Sequence, residues 1–103
     1  MQAKFQDSKL PVEGGIELYV SKNLIVSPKA LIVMVHGLCE HSGRYDYVTA
    51  KFNACGYSVY RFDNRGHGRS GGDRGYVENF HQFIDDAAKI AEMAKSENPR
   101  TPA

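Results

Sequence analysis

The chain has 103 residues, of which 42% are hydrophobic and 24% are charged, and its formal net charge at pH 7 is +1. This length and composition fit one globular domain and exclude a disordered polyampholyte. The balanced charge, without clusters of Lys and Arg, argues against nucleic acid as a partner. No apolar run approaches the roughly 20 residues that cross a bilayer, and the first residues resemble no signal peptide, so we expect a cytoplasmic protein.

The first 29 residues are predicted to form an antiparallel hairpin. Two short extended stretches, residues 4–6 and 17–20, are separated by Pro11 and by the turn signal Gly14-Gly15. Glycine pairs of this kind favour the backbone conformations that tight turns require.

Two strands and an intervening helix are predicted next. The run Ala30–Val35 is unbroken and rich in β-branched residues, which is typical of a strand covered on both faces in a parallel or mixed sheet. A second strand is predicted at Tyr57–Phe62. The helix between them ends at Gly56, where a left-handed C-cap is expected. Its predicted apolar face has a 3-4-3 spacing and consists of Tyr45, Val48, Phe52 and Cys55.

A second helix is predicted to begin near Asn79 as N-cap and to stop before Asn98-Pro99. Its predicted apolar face consists of Phe80, Phe83, Ile84, Ala87, Ile90, Ala91 and Ala94. The order strand, helix, strand, helix indicates an α/β fold with right-handed crossovers. A further strand should follow, but the sequence stops at Ala103, so we expect the C-terminus to be cut.

The cysteines and histidines do not indicate a metal site or a disulfide framework. Cys39 and Cys55 are sixteen positions apart with no second pair. None of the four histidines forms the H-x-x-x-H or H-E-x-x-H spacing that places two imidazoles on one helix face. We therefore expect free thiols and no metal.

Two motifs in the glycine-rich loop after the second strand have alternative interpretations. Residues 66–71 match the dinucleotide fingerprint G-x-G-x-x-G, but the next helix begins about ten residues later and not directly after the strand, so no cofactor is expected. Residues 68–72 match G-x-S-x-G, the nucleophile elbow of serine hydrolases. Ser70 lies eight residues beyond the strand end at Phe62, whereas an elbow is a tight strand-to-helix turn. A structural role for Ser70 is favoured over a nucleophile.

A longer arrangement resembles a known family. Residues 36–45 read H-G-x-x-E-H-S-G-R-Y and residues 63–71 read D-x-R-G-H-G-x-S-G. Together they resemble the amino-terminal half of monoacylglycerol lipase and lysophospholipase-like α/β-hydrolases, over about residues 15–98. The resemblance implies a mostly parallel sheet with flanking helices. It makes residues 1–103 the N-terminal segment of a single α/β-hydrolase domain, truncated before the nucleophile elbow.

The resemblance also implies roles for particular residues. His36-Gly37 would shape the oxyanion loop, and the backbone N–H of Leu38 would be one of two donors to the oxyanion. Gly37, Leu38 and Cys39 would line the substrate site. The loop after the second strand would be held by Asp63, Arg65 and His67, which we interpret as structural. The remaining polar groups are interpreted as scaffold, or as solvated or loop-tying groups, and comprise Glu40, His41, Arg44, Asp85 and Asp86.

Two functions follow as expectations. The first is a serine ester hydrolase that cleaves a monoacylglycerol or lysophospholipid through an acyl-enzyme. Its Ser-Asp-His triad would lie downstream, so the 103-residue chain alone would be inactive. The second is a truncated, non-catalytic α/β module that binds a partner or a small molecule. The resemblance also makes Ala30–Val35 the third strand of the family's sheet, which lies there between the fourth and the fifth. The fifth strand is missing from this sequence, which predicts association with the rest of the hydrolase fold or self-association.

Overall fold

The computed structural model describes residues 3–36, 45–65, 69–72 and 81–102. In chain order the elements are β1 (Lys4–Val12), β2 (Ile16–Leu24), β3 (Ala30–Val35), α1 (Asp46–Ala54), β4 (Tyr57–Phe62) and α2 (His81–Glu97). The four strands form one sheet in the order β1-β2-β4-β3. The β1/β2 and β2/β4 pairs are antiparallel and the β3/β4 pair is parallel. The predicted α/β architecture is confirmed.

The N-terminal hairpin is confirmed, but its strands are longer than predicted. Gly14 and Gly15 both have positive φ angles, 85° and 70°, which fit a tight hairpin turn whose twist matches the strands. Pro11 lies within β1 and pairs with Glu17 of β2. A proline is tolerated there because β1 is an edge strand, where a backbone N–H facing outward is not needed.

The hydrophobic core lies between one face of the sheet and α2. Antiparallel pairing places Val20 opposite Phe62 and Lys22 opposite Tyr60, so alternate residues of β2 and β4 share this face. Its buried members are Val12, Leu18, Val20, Leu31, Tyr60, Phe62, Ile90 and Ala94. The predicted apolar face of α2 is only partly right. Ile90 and Ala94 are buried in the core, but Ile84 is 53% exposed. Asn79 and Phe80 lie outside the described residues.

The predicted buried face of α1 is wrong. Val48 is 39% exposed, whereas the buried residues of α1 are Thr49 and Asn53. The reason is that α1 packs beside the opposite face of β4, which carries buried Arg61. The Arg61 guanidinium donates to the Asp46 carboxylate at 2.5 Å. The predicted left-handed C-cap at Gly56 is confirmed by its φ of 98°.

The outer edge of β3 has one backbone hydrogen bond among the described residues. The N–H of Leu31 donates to the carbonyl oxygen of Pro102 at 2.7 Å, so the chain returns from α2 to the side of β3 that β4 leaves open. Val35, at the other end of the strand, is 56% exposed. This is the position where the α/β pattern predicts a further strand.

Candidate functional site

The carboxyl ends of β3 and β4 meet at one edge of the sheet. The parallel register runs from Ala30 opposite Tyr57 to Val35 opposite Phe62, so His36 and Asp63 leave the sheet side by side. Ligands of α/β folds bind outside the carboxyl ends of the strands. This edge is therefore the candidate functional site.

Two hydrogen bonds join the chain segments that leave β3 and β4. The backbone N–H of Asn64 donates to Nε2 of His36 at 2.8 Å, and Nδ2 of Asn64 donates to the carbonyl oxygen of His36 at 3.3 Å. Both residues are buried, with 4% and 3% of their surface exposed. The direction of the chain at His36 is consequently set by the loop after β4.

The same loop is tied to β2 through Asp63 and Ser70. The N–H of Asp63 donates to the carbonyl oxygen of Tyr19 at 3.0 Å, and its carboxylate accepts the N–H of Arg69 at 2.9 Å. Oγ of Ser70 accepts the N–H of Tyr19 at 2.8 Å and donates to the carbonyl oxygen of Asp63. The hydroxyl of Ser70 is buried and hydrogen-bonded to the backbone. This geometry agrees with a structural role for Ser70 and not with an elbow nucleophile.

The last residues of the dinucleotide-like motif also serve the fold. The N–H of Gly71 donates to the carbonyl oxygen of Glu17 at 2.9 Å. A pyrophosphate site would need such N–H groups free at the start of a helix. Gly71 instead continues the contact between this loop and β2.

Arg65 ties the loop to α2 through a buried ion pair. Its Nε and Nη2 donate to the two carboxylate oxygens of Asp86 at 2.8 and 2.9 Å, and Nη2 also lies 3.4 Å from the carbonyl oxygen of Glu13. The hydrogen bond to Asp86 raises the pKa of Arg65 further above its ordinary value. The predicted structural roles of Asp63 and Arg65 are confirmed. Of the two aspartates on α2, Asp86 is loop-tying and Asp85 is exposed.

The sequence model of a family described as serine aminopeptidase, S33, matches residues 26–103. The chain belongs to this family. Over 75 residues it is 40% identical to a monoacylglycerol lipase of Mycolicibacterium smegmatis, and over 76 residues it is 37% identical to the monoglyceride lipase of Homo sapiens. These matches cover 73% and 74% of this chain but 27% and 25% of the relatives. The chain thus spans about a quarter of the length of these two relatives.

The fold comparison agrees with the sequence comparison. A thermostable carboxyl esterase from Bacillus coagulans, solved in complex with glycerol, superimposes with a TM-score of 0.84 at 25% identity. The match covers 99% of this chain and 34% of the esterase. The predicted resemblance to monoacylglycerol-lipase-like α/β-hydrolases and the predicted α/β-hydrolase fold are confirmed.

The predicted site residues of this hydrolase segment, Gly37, Leu38 and Cys39, lie outside the described residues. The same holds for His67 and for the cluster Glu40, His41 and Arg44. Sequence reasoning assigned no role to Asn64. A polar residue two positions after a buried strand is the signal that marks it, but its partner is 28 residues away and no local pattern connects the two.

The described part of the chain contains neither a metal-binding cluster nor a membrane-spanning helix. Its His, Cys, Asp and Glu side chains form no group of three or more that could hold a metal ion. Neither α1 nor α2 is long and apolar enough to span a membrane. Cys55 is an exposed free thiol.

A second polar cluster lies at the C-terminal end of α2. Nζ of Lys22 donates to both carboxylate oxygens of Glu97 at 2.9 Å, and the hydroxyl of Tyr60 donates to the same carboxylate at 2.5 Å. Nδ2 of Asn98 donates to the Tyr60 hydroxyl at 3.0 Å. Burial and the bond to Glu97 raise the pKa of Tyr60 to about 12. Burial alone would raise the pKa of Glu97, but the hydrogen bonds from Tyr60 and Lys22 outweigh this effect, so the pKa of Glu97 is lowered.

Alkaline pH is expected to destabilise the fold through Tyr60. Its pKa is 10.0 in the open chain and about 12 in the fold, so the unfolded state loses the proton first. Stability is then full below about pH 10 and falls by about 2–3 kcal/mol as the pH rises to about 12. Denaturant unfolding of the intact protein at several pH values measures this loss. Tyr60→Phe should reduce the loss of stability between about pH 10 and pH 12, whereas Tyr47→Phe, at an exposed position, should not. An equal loss of stability at alkaline pH in both variants would contradict the assignment of this loss to Tyr60.

Ser70→Ala is expected to leave covalent labelling by a fluorophosphonate unchanged. The same substitution should destabilise the protein by about 1–3 kcal/mol, because the N–H of Tyr19 loses its acceptor inside the protein. Labelling of the intact protein and its unfolding midpoint are the two measurements. Loss of labelling without loss of stability would make Ser70 the nucleophile.

Proposed function

We propose that the protein is a serine ester hydrolase of the monoacylglycerol lipase or lysophospholipase type. The observation that carries this proposal is the 40% identity to a protein named monoacylglycerol lipase, within a serine hydrolase family that matches residues 26–103. The joined carboxyl ends of β3 and β4 support it, because an oxyanion loop must leave β3 at this edge in a fixed direction.

The proposed reaction has two steps with one acyl-enzyme intermediate. A serine attacks the ester carbonyl while a histidine takes its proton, and the alcohol leaves with that proton. Water then attacks the acyl-enzyme and the fatty acid is released. This chain contributes the backbone N–H of Leu38, which donates to the oxyanion in both tetrahedral intermediates. The Ser-Asp-His triad belongs to residues beyond these 103.

Gly37 and Cys39 flank this donor in the proposed substrate site. Gly37 has no Cβ, so the acyl carbonyl can approach the backbone closely. Cys39 is proposed to be a space-filling residue of this site and not a reactive thiol. The names of the relatives favour a lipid-like ester as the substrate, with the rest of the same hydrolase fold completing the pocket.

The test is hydrolysis by the intact protein of a monoacylglycerol, a lysophospholipid, a p-nitrophenyl ester and an aminoacyl p-nitroanilide. We expect fatty acid release from one of the first two, with loss of activity after fluorophosphonate treatment. The 103-residue chain alone should show no ester turnover above its Ser70→Ala variant. Turnover of the anilide in preference to every ester would contradict the lipase proposal. Absence of all turnover and labelling would favour a non-catalytic binding module.

The chain alone is further proposed to self-associate through β3. Among the described residues, the outer edge of β3 holds only the Leu31–Pro102 backbone bond, and no Lys, Pro or Gly interrupts residues 31–35. Unpaired apolar edges of this kind add strands from other chains. Size-exclusion chromatography with light scattering should show concentration-dependent oligomers. A monodisperse monomer with protected amides from Leu31 to Val35 would contradict this expectation.

A further inference from the structure

We propose that Asn64 is a positioning residue that sets the direction of the oxyanion loop through His36. The inference deepens the proposed function and rests on it for its catalytic consequence. Its structural part is independent of activity, because it concerns the geometry of the backbone that leaves β3.

The geometry is reciprocal. The backbone of Asn64 donates to the side chain of His36, while the side chain of Asn64 donates to the backbone of His36. Two hydrogen bonds between the same pair of residues fix their relative orientation as well as their distance, whereas a single hydrogen bond leaves the orientation free. Since Nε2 of His36 accepts, this nitrogen carries no proton. His36 is separated from the proposed donor, the N–H of Leu38, by Gly37 alone. We therefore expect a change in the orientation of His36 to displace that donor.

The side chain of Asn64 contributes to the orientation of His36 more than to the stability of the fold. Oδ1 of Asn64 is buried and has no hydrogen-bond partner among the described residues. A buried acceptor without a partner is destabilising, which offsets the gain of a typical hydrogen bond. The carboxamide therefore adds little net stability. What it provides is a donor aimed at the carbonyl oxygen of His36.

Asn53 offers a matched control. It is also buried, and its Nδ2 donates to the carbonyl oxygens of Tyr57 at 2.8 Å and Asn23 at 3.1 Å. Tyr57 begins β4, so this asparagine acts at the opposite end of the strand from Asn64. Asn53→Asp removes a buried amide donor without touching the proposed site.

The experiment compares Asn64→Asp, Asn64→Ala and Asn53→Asp in the intact protein. We expect both Asn64 variants to lower kcat for the best ester by about tenfold or more, with KM within about twofold, because a misdirected oxyanion donor acts in the transition state. Asn53→Asp should change kcat by less than about twofold. Asn64→Ala removes the unpartnered oxygen, so it keeps the test open if Asn64→Asp does not fold.

A second readout does not depend on activity. The amide ¹H and ¹⁵N chemical shifts of Gly37 and Leu38 should move in both Asn64 variants and stay in Asn53→Asp. His36→Gln, which keeps an acceptor near the position of Nε2, should retain more activity than His36→Leu. Moved amides in a protein without esterase activity would support the positioning role and reject the proposed function. Unmoved amides, or an Asn64→Ala variant with unchanged kcat, would overturn the positioning role.

Discussion

Asp86→Ala is expected to lower the free energy of unfolding of the intact protein by about 3–5 kcal/mol, because it leaves the buried Arg65 guanidinium without its counterion. The side chains of Arg65 and Asp86 are 4% and 1% exposed. The ion pair is therefore largely shielded from water in the folded protein. The bidentate geometry satisfies both carboxylate oxygens, which is the arrangement in which a buried pair offsets its desolvation.

Denaturant titration of three variants checks this expectation. Asp85→Ala, at the exposed neighbouring position, should change stability by about 0.5 kcal/mol or less. Replacing both partners together, as Arg65→Met with Asp86→Leu, should recover most of the loss, since no buried charge remains. If Asp86→Ala cost no more than Asp85→Ala, the pair would not hold the loop.

Leu38→Pro is expected to lower kcat for ester hydrolysis by about 10²–10³, or about 2.7–4 kcal/mol of transition-state stabilisation. Proline has no backbone N–H, so the proposed oxyanion donor is removed at its source. The matched control is Leu38→Ala, which keeps the N–H and shortens only the side chain. It should change kcat far less than the proline variant.

Covalent labelling and stability show whether the proline variant is folded. We expect Leu38→Pro to keep an unfolding midpoint close to that of Leu38→Ala and to react slowly with a fluorophosphonate, whose phosphoryl oxygen also occupies the oxyanion site. Equal kcat values for the two variants would remove Leu38 from the mechanism. A folded, inactive Leu38→Ala variant would shift the role from the backbone to the side chain.

Elements with a strong local signal were predictable from the sequence. The unbroken apolar run of β3, the glycine pair of the hairpin and Gly56 at the end of α1 each lie where predicted, because chain sterics and hydrophobic periodicity act within a few residues. The roles of Asp63 and Arg65 in holding the loop came from the family resemblance. The structure identifies their partners as Arg69 and Asp86.

The buried face of α1 was beyond local reasoning. Its spacing favoured the side that carries Val48, whereas Thr49 and Asn53 are buried. The partner surface decides which face a helix buries, and the facing side of β4 presents Arg61 at 5% exposure. A hydrophobic pattern read along one helix contains no information about that arginine.

The sequence alone determined the α/β class, the hairpin and the membership of a serine hydrolase family, because these depend on short-range patterns and on motifs of fixed spacing. Tertiary structure alone decided the Arg65–Asp86 pair and the Asn64–His36 pair. The members of these pairs lie 21 and 28 residues apart, and only the parallel pairing of β3 with β4 and the packing of α2 bring them within hydrogen-bonding distance. Polar side chains do not reveal their partners in sequence, since hydrogen-bond geometry exists only after the backbone has been folded.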